Sequence, residues 1–270
     1  MDILTVERKN YEMASCWEEL RIDQKLALTP LVYCTDKSPL VQQACLRIII
    51  PEKAISKRKF KKINAEQFYD LFETIEWLWT SEPVISLTEF THQGVTYLLP
   101  KPDFTTVVLI EFAMADIYYR RFVRPKPDQK ALDLLVATLC RPAGDPGAWQ
   151  DPKWNGDKRQ VFNSNTTEVA AAGALSGLPI AYKVMVLQLV SQAMRNIQRR
   201  YKVIFESADP EGDQSAAPSG ESLPGYIALL FDLAESGIFG DFDKSSFIPI
   251  HTVLTYLKKK KIDAKNSDHD

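Results

Sequence analysis

Histidine is scarce in this chain, and so is every arrangement of residues that usually signals metal or acid–base chemistry. Only three histidines occur in 270 residues: His92, His251 and His269. None belongs to an H-E-x-x-H run or a Cys/His cluster, so no zinc site is expected. The four cysteines, Cys16, Cys34, Cys45 and Cys140, lie 18, 11 and 95 residues apart, without a C-x-x-C pair. That usage fits free, buried thiols in a reducing compartment. G-x-G-x-x-G, G-x-x-x-x-G-K-[ST] and G-x-S-x-G are all missing, which removes the commonest nucleotide-binding and hydrolase signatures. No cofactor is expected.

Long apolar runs are missing too. The longest, Thr105 to Ala115, is interrupted by Glu111 and falls short of the ~20 residues a membrane span needs. The N-terminus has no apolar run of signal-peptide length, so a soluble, cytoplasmic protein is expected. A basic excess is also lacking: 33 Lys and Arg stand against 35 Asp and Glu, a formal charge of −2. A general nucleic-acid binder would show the opposite balance. The 45% apolar and 25% charged content is ordinary for a globular chain long enough to bury a substantial core.

What is present is mostly helical patterning. Ser38-Pro39 is a cap followed by proline at the first helical position, and Pro51 stops that helix. Asn64-Ala-Glu-Gln67 has capping-box spacing and leads into Phe68, Leu71, Phe72, Ile75 and Leu78, a one-sided apolar face. Residues 84–99 instead read as a β-hairpin, with Glu89-Phe90-Thr91 and Val95-Thr96-Tyr97 around a glycine-containing turn. Asp103 is positioned to cap a core helix from Phe104 to about Val123. Within it Asp116 and Arg120 form an i,i+4 pair that can face solvent, while Glu111 calls for a basic partner. A helix follows from Ala131 to Cys140, and Arg141–Asn163 is a long loop rich in proline, glycine and tryptophan. Asn165-Thr-Thr-Glu168 has capping-box spacing, and a long helix is expected from about Ala181 to Phe205. These signals predict a mostly α fold: a multi-helix bundle with one small hairpin at about 84–99. The main domain is expected over 1–206 and a linker over 207–223. A two-helix segment over 224–262 would dock on the main domain or a partner, and 263–270 would form a disordered tail.

The chemistry that remains is that of surfaces. Gly240-Asp-Phe-Asp-Lys-Ser superficially suggests a calcium loop, but Ser246 holds its glycine position and Thr252 its glutamate position, so it reads as a loop with a helix cap. Lys53, Lys57, Arg58, Lys59, Lys61 and Lys62 make the one notable basic cluster, able to contact phosphates or to serve as a solvated connector. Trp77 and Trp79 cannot share one helical face. Trp149 and Trp154 sit in a polar loop, where they either meet a partner or staple the loop down. With Arg141, Lys158, Arg159 and Phe162 they form the candidate partner-binding set. Arg141 and Arg159 would be the anchored ends of the loop.

Three stretches together resemble a known group. Ser15-Cys-Trp17-Glu-Glu-Leu20 with Gln24 is similar to the opening of small helical proteins from bacteriophage tail gene clusters. Leu139-Cys-Arg141-Pro142, followed by Lys158-Arg159-x-x-Phe162, is similar to the point where a helix in those proteins ends in arginine before a variable loop. Tyr226, Leu233-Ala234, Phe239-Gly240 and Val253-Leu254-x-Tyr256-Leu257 resemble their closing segment. The resemblance implies a non-enzymatic, chaperone-like tail-assembly factor that binds tail structural proteins. A nucleic-acid-associated factor using Lys53–Lys62 and the Arg195–Lys202 stretch is the alternative. An enzyme would require a cleft lined by Glu111, Asp116 or His92.

Overall fold

The computed structural model describes residues 2–6, 8–33, 36–51, 53–60, 62–81, 83, 87–152, 154–205 and 225–267, without the side chains of Val6, Lys57 and Lys59. The expected linker at 207–223 and Lys61 lie outside the described residues. The fold is mostly α. It divides into two compact units, one of residues 1–87 and 179–188, the other of residues 88–178 and 189–270. That division runs through the span expected to be one main domain.

The first unit opens on a hairpin of β1 (Asp2–Val6) and β2 (Lys9–Met13) that the sequence reading did not anticipate. Its turn includes Arg8 at φ +64°, a left-handed conformation normally signalled by glycine or asparagine. A 3-10 turn at Trp17–Glu19 precedes α1 (Ile22–Tyr33) and α2 (Pro39–Ile49). Then come α3 (Lys57–Phe60), α4 (Ala65–Thr74) and α5 (Trp77–Thr80). The Ser38 hydroxyl accepts from the Val41 amide, and Asn64 and Gln67 complete the anticipated capping box. The core gathers Trp17, Leu28, Cys45, Leu46, Ile75 and Leu78, with Trp77 meeting Trp17 edge-on at 5.8 Å.

In the second unit, β3 (Glu89–His92) and β4 (Val95–Leu98) form the expected hairpin, with Phe90 opposite Tyr97 and His92 paired with Val95. Gln93 and Gly94 both take positive φ, 50° and 78°, as a tight primed turn requires. The core helix begins later than expected: α6 spans Leu109–Phe122, and Val108 holds its cap position. Asp103 instead accepts from the amide and hydroxyl of Thr105, closing a local turn ahead of the helix. α7 (Gln129–Leu139) packs along α6 and is capped by Asp128. It leads into the two-residue strand β5 (Arg141–Pro142), which joins the edge of β4.

After the loop, α8 (Ser164–Ala172) starts from Asn163, one turn's edge earlier than the Asn165 spacing suggested. The Asn163 side chain accepts from both Asn165 and Thr166. The expected long helix is α9 (Ile180–Arg200) followed by α10 (Lys202–Phe205). α11 (Gly225–Glu235), α12 (Phe242–Ser246) and α13 (Ile250–Ser267) close the chain. They dock in cis: Leu109 donates to Ile248, and Ile250 donates to Val107, each at 2.9 Å. α13 also runs to Ser267, past residue 262 where order was expected to end. No helix among the described residues is long and apolar enough to cross a membrane.

Candidate functional site

The loop after α7 is held by a buried ionic cluster whose members come from three separate stretches. α7 ends where Pro142 cannot continue it, and the last carbonyls of a helix lack intrahelical partners. Two guanidinium groups meet that need. Arg141 Nη1 donates to the Thr138 carbonyl at 2.7 Å, and Arg159 Nη1 donates to the Leu139 carbonyl at 2.7 Å. Positive charge also suits the negative end of the helix dipole.

Both guanidiniums then converge on Glu111 in the first turn of α6, where a carboxylate suits the positive end of that helix. Arg159 reaches the Glu111 oxygens at 2.6 and 3.2 Å, and Arg141 reaches them at 3.1 and 3.3 Å. Asp157 completes the set. It accepts from Arg159 Nε at 2.9 Å and Nη2 at 2.8 Å, with Arg141 Nη2 at 3.4 Å. Two positive and two negative charges are matched, three of them buried and Asp157 half-buried. Glu111 is 1% exposed, Arg159 4% and Arg141 6%.

Burial opposes the Arg159 charge, but Glu111 and Asp157 outweigh it and hold the group above its ordinary range. At Arg141 burial wins over the attraction of the same carboxylates, and its tendency is downward. Arginine remains charged either way. Arg141 Nε has no hydrogen-bond partner among the described residues. The Phe162 ring lies 5.9 Å from its guanidinium carbon. Burial likewise pushes the adjacent Cys140 thiol up to about 12, against the pull of the two arginines.

From this anchor the loop builds outward. Gly144 donates to the Lys158 carbonyl and Gln160 to the Pro142 carbonyl, each at 2.8 Å, so the two ends of the loop pair beside β5. A Cβ on Gly144 would meet the Arg159 carbonyl oxygen at 3.0 Å, which is why the close pairing needs glycine. Trp149 and Trp154 stack at 6.1 Å with 25° between their planes. Trp154 Nε1 donates to the Asp157 carbonyl at 2.9 Å, and Lys158 Nζ stands 5.7 Å from the Trp149 ring. A recess of about 310 Å³ opens here, lined by the two tryptophans, Gly144, Asp145, Val161, Phe162 and Phe247, with Glu111 and both arginines at its base.

The expected partner-binding set is therefore brought together but divided in role. Arg141 and Arg159 are buried and anchor the ends of the loop, and Phe162 is buried beside them, so these three support the recess from beneath. Trp149, Trp154 and Lys158 remain reachable. The tryptophans staple the loop through their mutual stack and still line the recess. Glu111 lines the cleft that an enzyme reading would require, yet both its oxygens are engaged by guanidinium groups. Asp157 and Phe247 were not singled out from the sequence. Asp157 sits in a polar loop like many others, and Phe247 reaches the recess only because the C-terminal helices dock on α6.

No protein-family model matches this chain, and comparison with curated proteins and with solved structures found no match. Among the described residues, no group of three or more histidine, cysteine or acidic side chains could hold a metal ion.

Phe60 is buried in the first unit's core, with Arg47 5.0 Å from its ring, while Lys53, Arg58 and Lys62 are exposed. Asp116, expected to face solvent beside Arg120, is instead buried. Its carboxylate takes Arg120 Nε at 2.8 and 2.9 Å, and Arg120 alone is exposed.

Proposed function

We propose that this chain is a non-enzymatic interaction protein of a phage or prophage tail module, docking other tail proteins through the 141–162 loop. The observation that carries the reading is the Trp149–Trp154 stack over a recess whose charged base is already neutralised. A pair of stacked tryptophans offers a large, rigid apolar contact at small entropic cost. The ion cluster beneath holds the loop in one shape before any partner arrives, which lowers the cost of binding. An apolar or aromatic side chain of a partner fits this recess better than a charged one, because each charge at its base already has its opposite.

The test is co-elution of the full chain with candidate tail subunits at micromolar concentration. Binding by the wild-type chain that falls on Trp149→Ala and Trp154→Ala supports the reading. Absence of any co-elution across the tail subunits counts against it.

One observation favours a second reading, contact with a nucleic-acid backbone. Arg195, Gln198, Arg199, Lys202 and Phe205 line an open groove of about 560 Å³ along α9 and α10. Phosphate contacts would make binding fall steeply with salt. Neutralising Arg195, Arg199 and Lys202 would remove that dependence, whereas salt-insensitive or absent binding ends this reading.

A further inference from the structure

The C-terminal helices carry an apolar face that no described residue covers. α11, Gly-Tyr-Ile-Ala-Leu-Leu-Phe-Asp-Leu-Ala-Glu, is apolar around most of its circumference, the pattern of a helix surrounded on all sides. Only Leu230 and Leu233 are buried, on the side that packs against α6. Phe231 is 48% exposed, and its ring lies 5.1 Å from that of Phe242, itself 40% exposed on α12. Ile238, in the turn between the two helices, is 47% exposed. Two phenylalanines in contact with each other and open to water form an apolar patch of the kind that marks an interaction surface.

The charges around this patch say what would cover it. Asp232, Glu235, Asp241 and Asp243 are all exposed on α11 and α12, against one lysine, Lys244, which stands 3.8 Å from Asp241. Residues 206–224 of this chain cannot supply the missing positive charge, because they hold five carboxylates and no lysine or arginine. We propose that the α11–α12 face is a docking surface for a basic amphipathic helix of another protein. The helix lays its apolar side on Phe231, Ile238 and Phe242 and its lysines or arginines against the surrounding carboxylates. The apolar contact supplies most of the affinity, and the charges set orientation and association rate. This surface is separate from the tryptophan recess, so either can stand without the other.

The probe is a fluorescently labelled helical peptide of about 18 lysines and leucines with one apolar side, compared with a glutamate–leucine peptide of the same pattern. Anisotropy is read with the full chain at roughly 50 and 300 mM salt, where screening differs strongly. The basic peptide is expected to bind and the acidic one not. The variant Asp232→Asn, Glu235→Gln, Asp243→Asn changes only exposed side chains, so it keeps the fold; it should weaken binding about tenfold at low salt and flatten the salt dependence. Phe231→Ser with Phe242→Ser should abolish binding at both salts. Equal binding of the two peptides, or of the charge variant and wild type, overturns the proposal. Sedimentation gives the remaining outcome: a wild-type dimer that the phenylalanine pair of changes makes monomeric would assign the face to a second copy and overturn the heterologous partner.

Discussion

Removing the Glu111 side chain should be among the most damaging single changes available to the second unit. Glu111→Ala leaves two buried guanidiniums sharing one carboxylate, Asp157, so one buried positive charge is left unmatched. Stripping one partner from a buried ion pair costs about 3–5 kcal/mol, because the remaining charge stays out of water. For a unit of this size each kcal/mol lowers the melting temperature by about 2–4 °C, so a drop of roughly 6–20 °C is expected. Glu111→Gln should recover little, since its amide nitrogen adds donors where donors are already in excess. Replacing Arg159 as well, in Glu111→Leu with Arg159→Met, should cost less than the two single changes added together, because no charge is left unmatched between them. Differential scanning calorimetry of the full chain, with near-ultraviolet circular dichroism of the tryptophans, would follow the transition. An alanine variant within about 1 kcal/mol of wild type, or strictly additive single and double changes, would refute the reasoning.

Three further outcomes are expected. Gly144→Ala should destabilise by about 1–3 kcal/mol, because the obstructing Arg159 carbonyl is backbone and cannot swing away; chemical denaturation measures it. In a Cys34→Ser background, a thiol reagent at pH 8 should titrate Cys16 readily in the native chain. Cys45 and Cys140, both buried with thiols pushed up to about 12, should react only after unfolding. Two or more fast native thiols would contradict their burial. Asp116 is held above its ordinary pKa by burial, with Arg120 pulling the other way. The unfolded chain therefore releases this proton first, and Asp116 opposes folding increasingly as pH rises from its unfolded pKa, about 3.9, through its folded one. Asp116→Asn should thus gain on wild type over that rise, and denaturation series from pH 3.5 to 7 showing the opposite slope would exclude the account.

Much of the fold could be read from local signals, and the misreadings share a physical cause. Ser38-Pro39, the Asn64–Gln67 box and the glycine-containing hairpin turn are short-range arrangements whose geometry is complete within a few residues, and each is present, the turn narrowed to Gln93-Gly94 because His92 pairs with Val95. The first hairpin escaped because Arg8 supplies a left-handed turn without glycine, and β5 because two residues carry no periodicity. Asp103 has the right spacing for a helix cap, but its hydrogen bonds go to Thr105, two residues on. At the candidate site, an acid on an apolar helix marked Glu111 as needing a base. Arg141 and Arg159 stood out as loop ends. That these three meet depends on the docking of α6, α7 and the loop, 30 and 48 residues apart in sequence.

The ion cluster and the aromatic loop make sense together more than apart. A matched buried tetrad is a weak source of net stability, since desolvation offsets most of its attraction. Glu111, Arg141, Asp157 and Arg159 could be replaced by leucines if stability were all they supplied. What they add is a single permitted geometry: each guanidinium has one set of carbonyl and carboxylate oxygens it can satisfy at once, and any shift of the loop breaks several bonds together. Among its described residues, the loop they fix has no helix or sheet of its own beyond a single 3-10 turn at Pro146–Gln150, and the cluster confines it to one shape. A fixed shape has value where a recess must present itself ready-made to another surface. On that argument, loosening the cluster without unfolding the unit, as with Asp157→Asn, should weaken partner binding at Trp149 and Trp154 although neither tryptophan is touched.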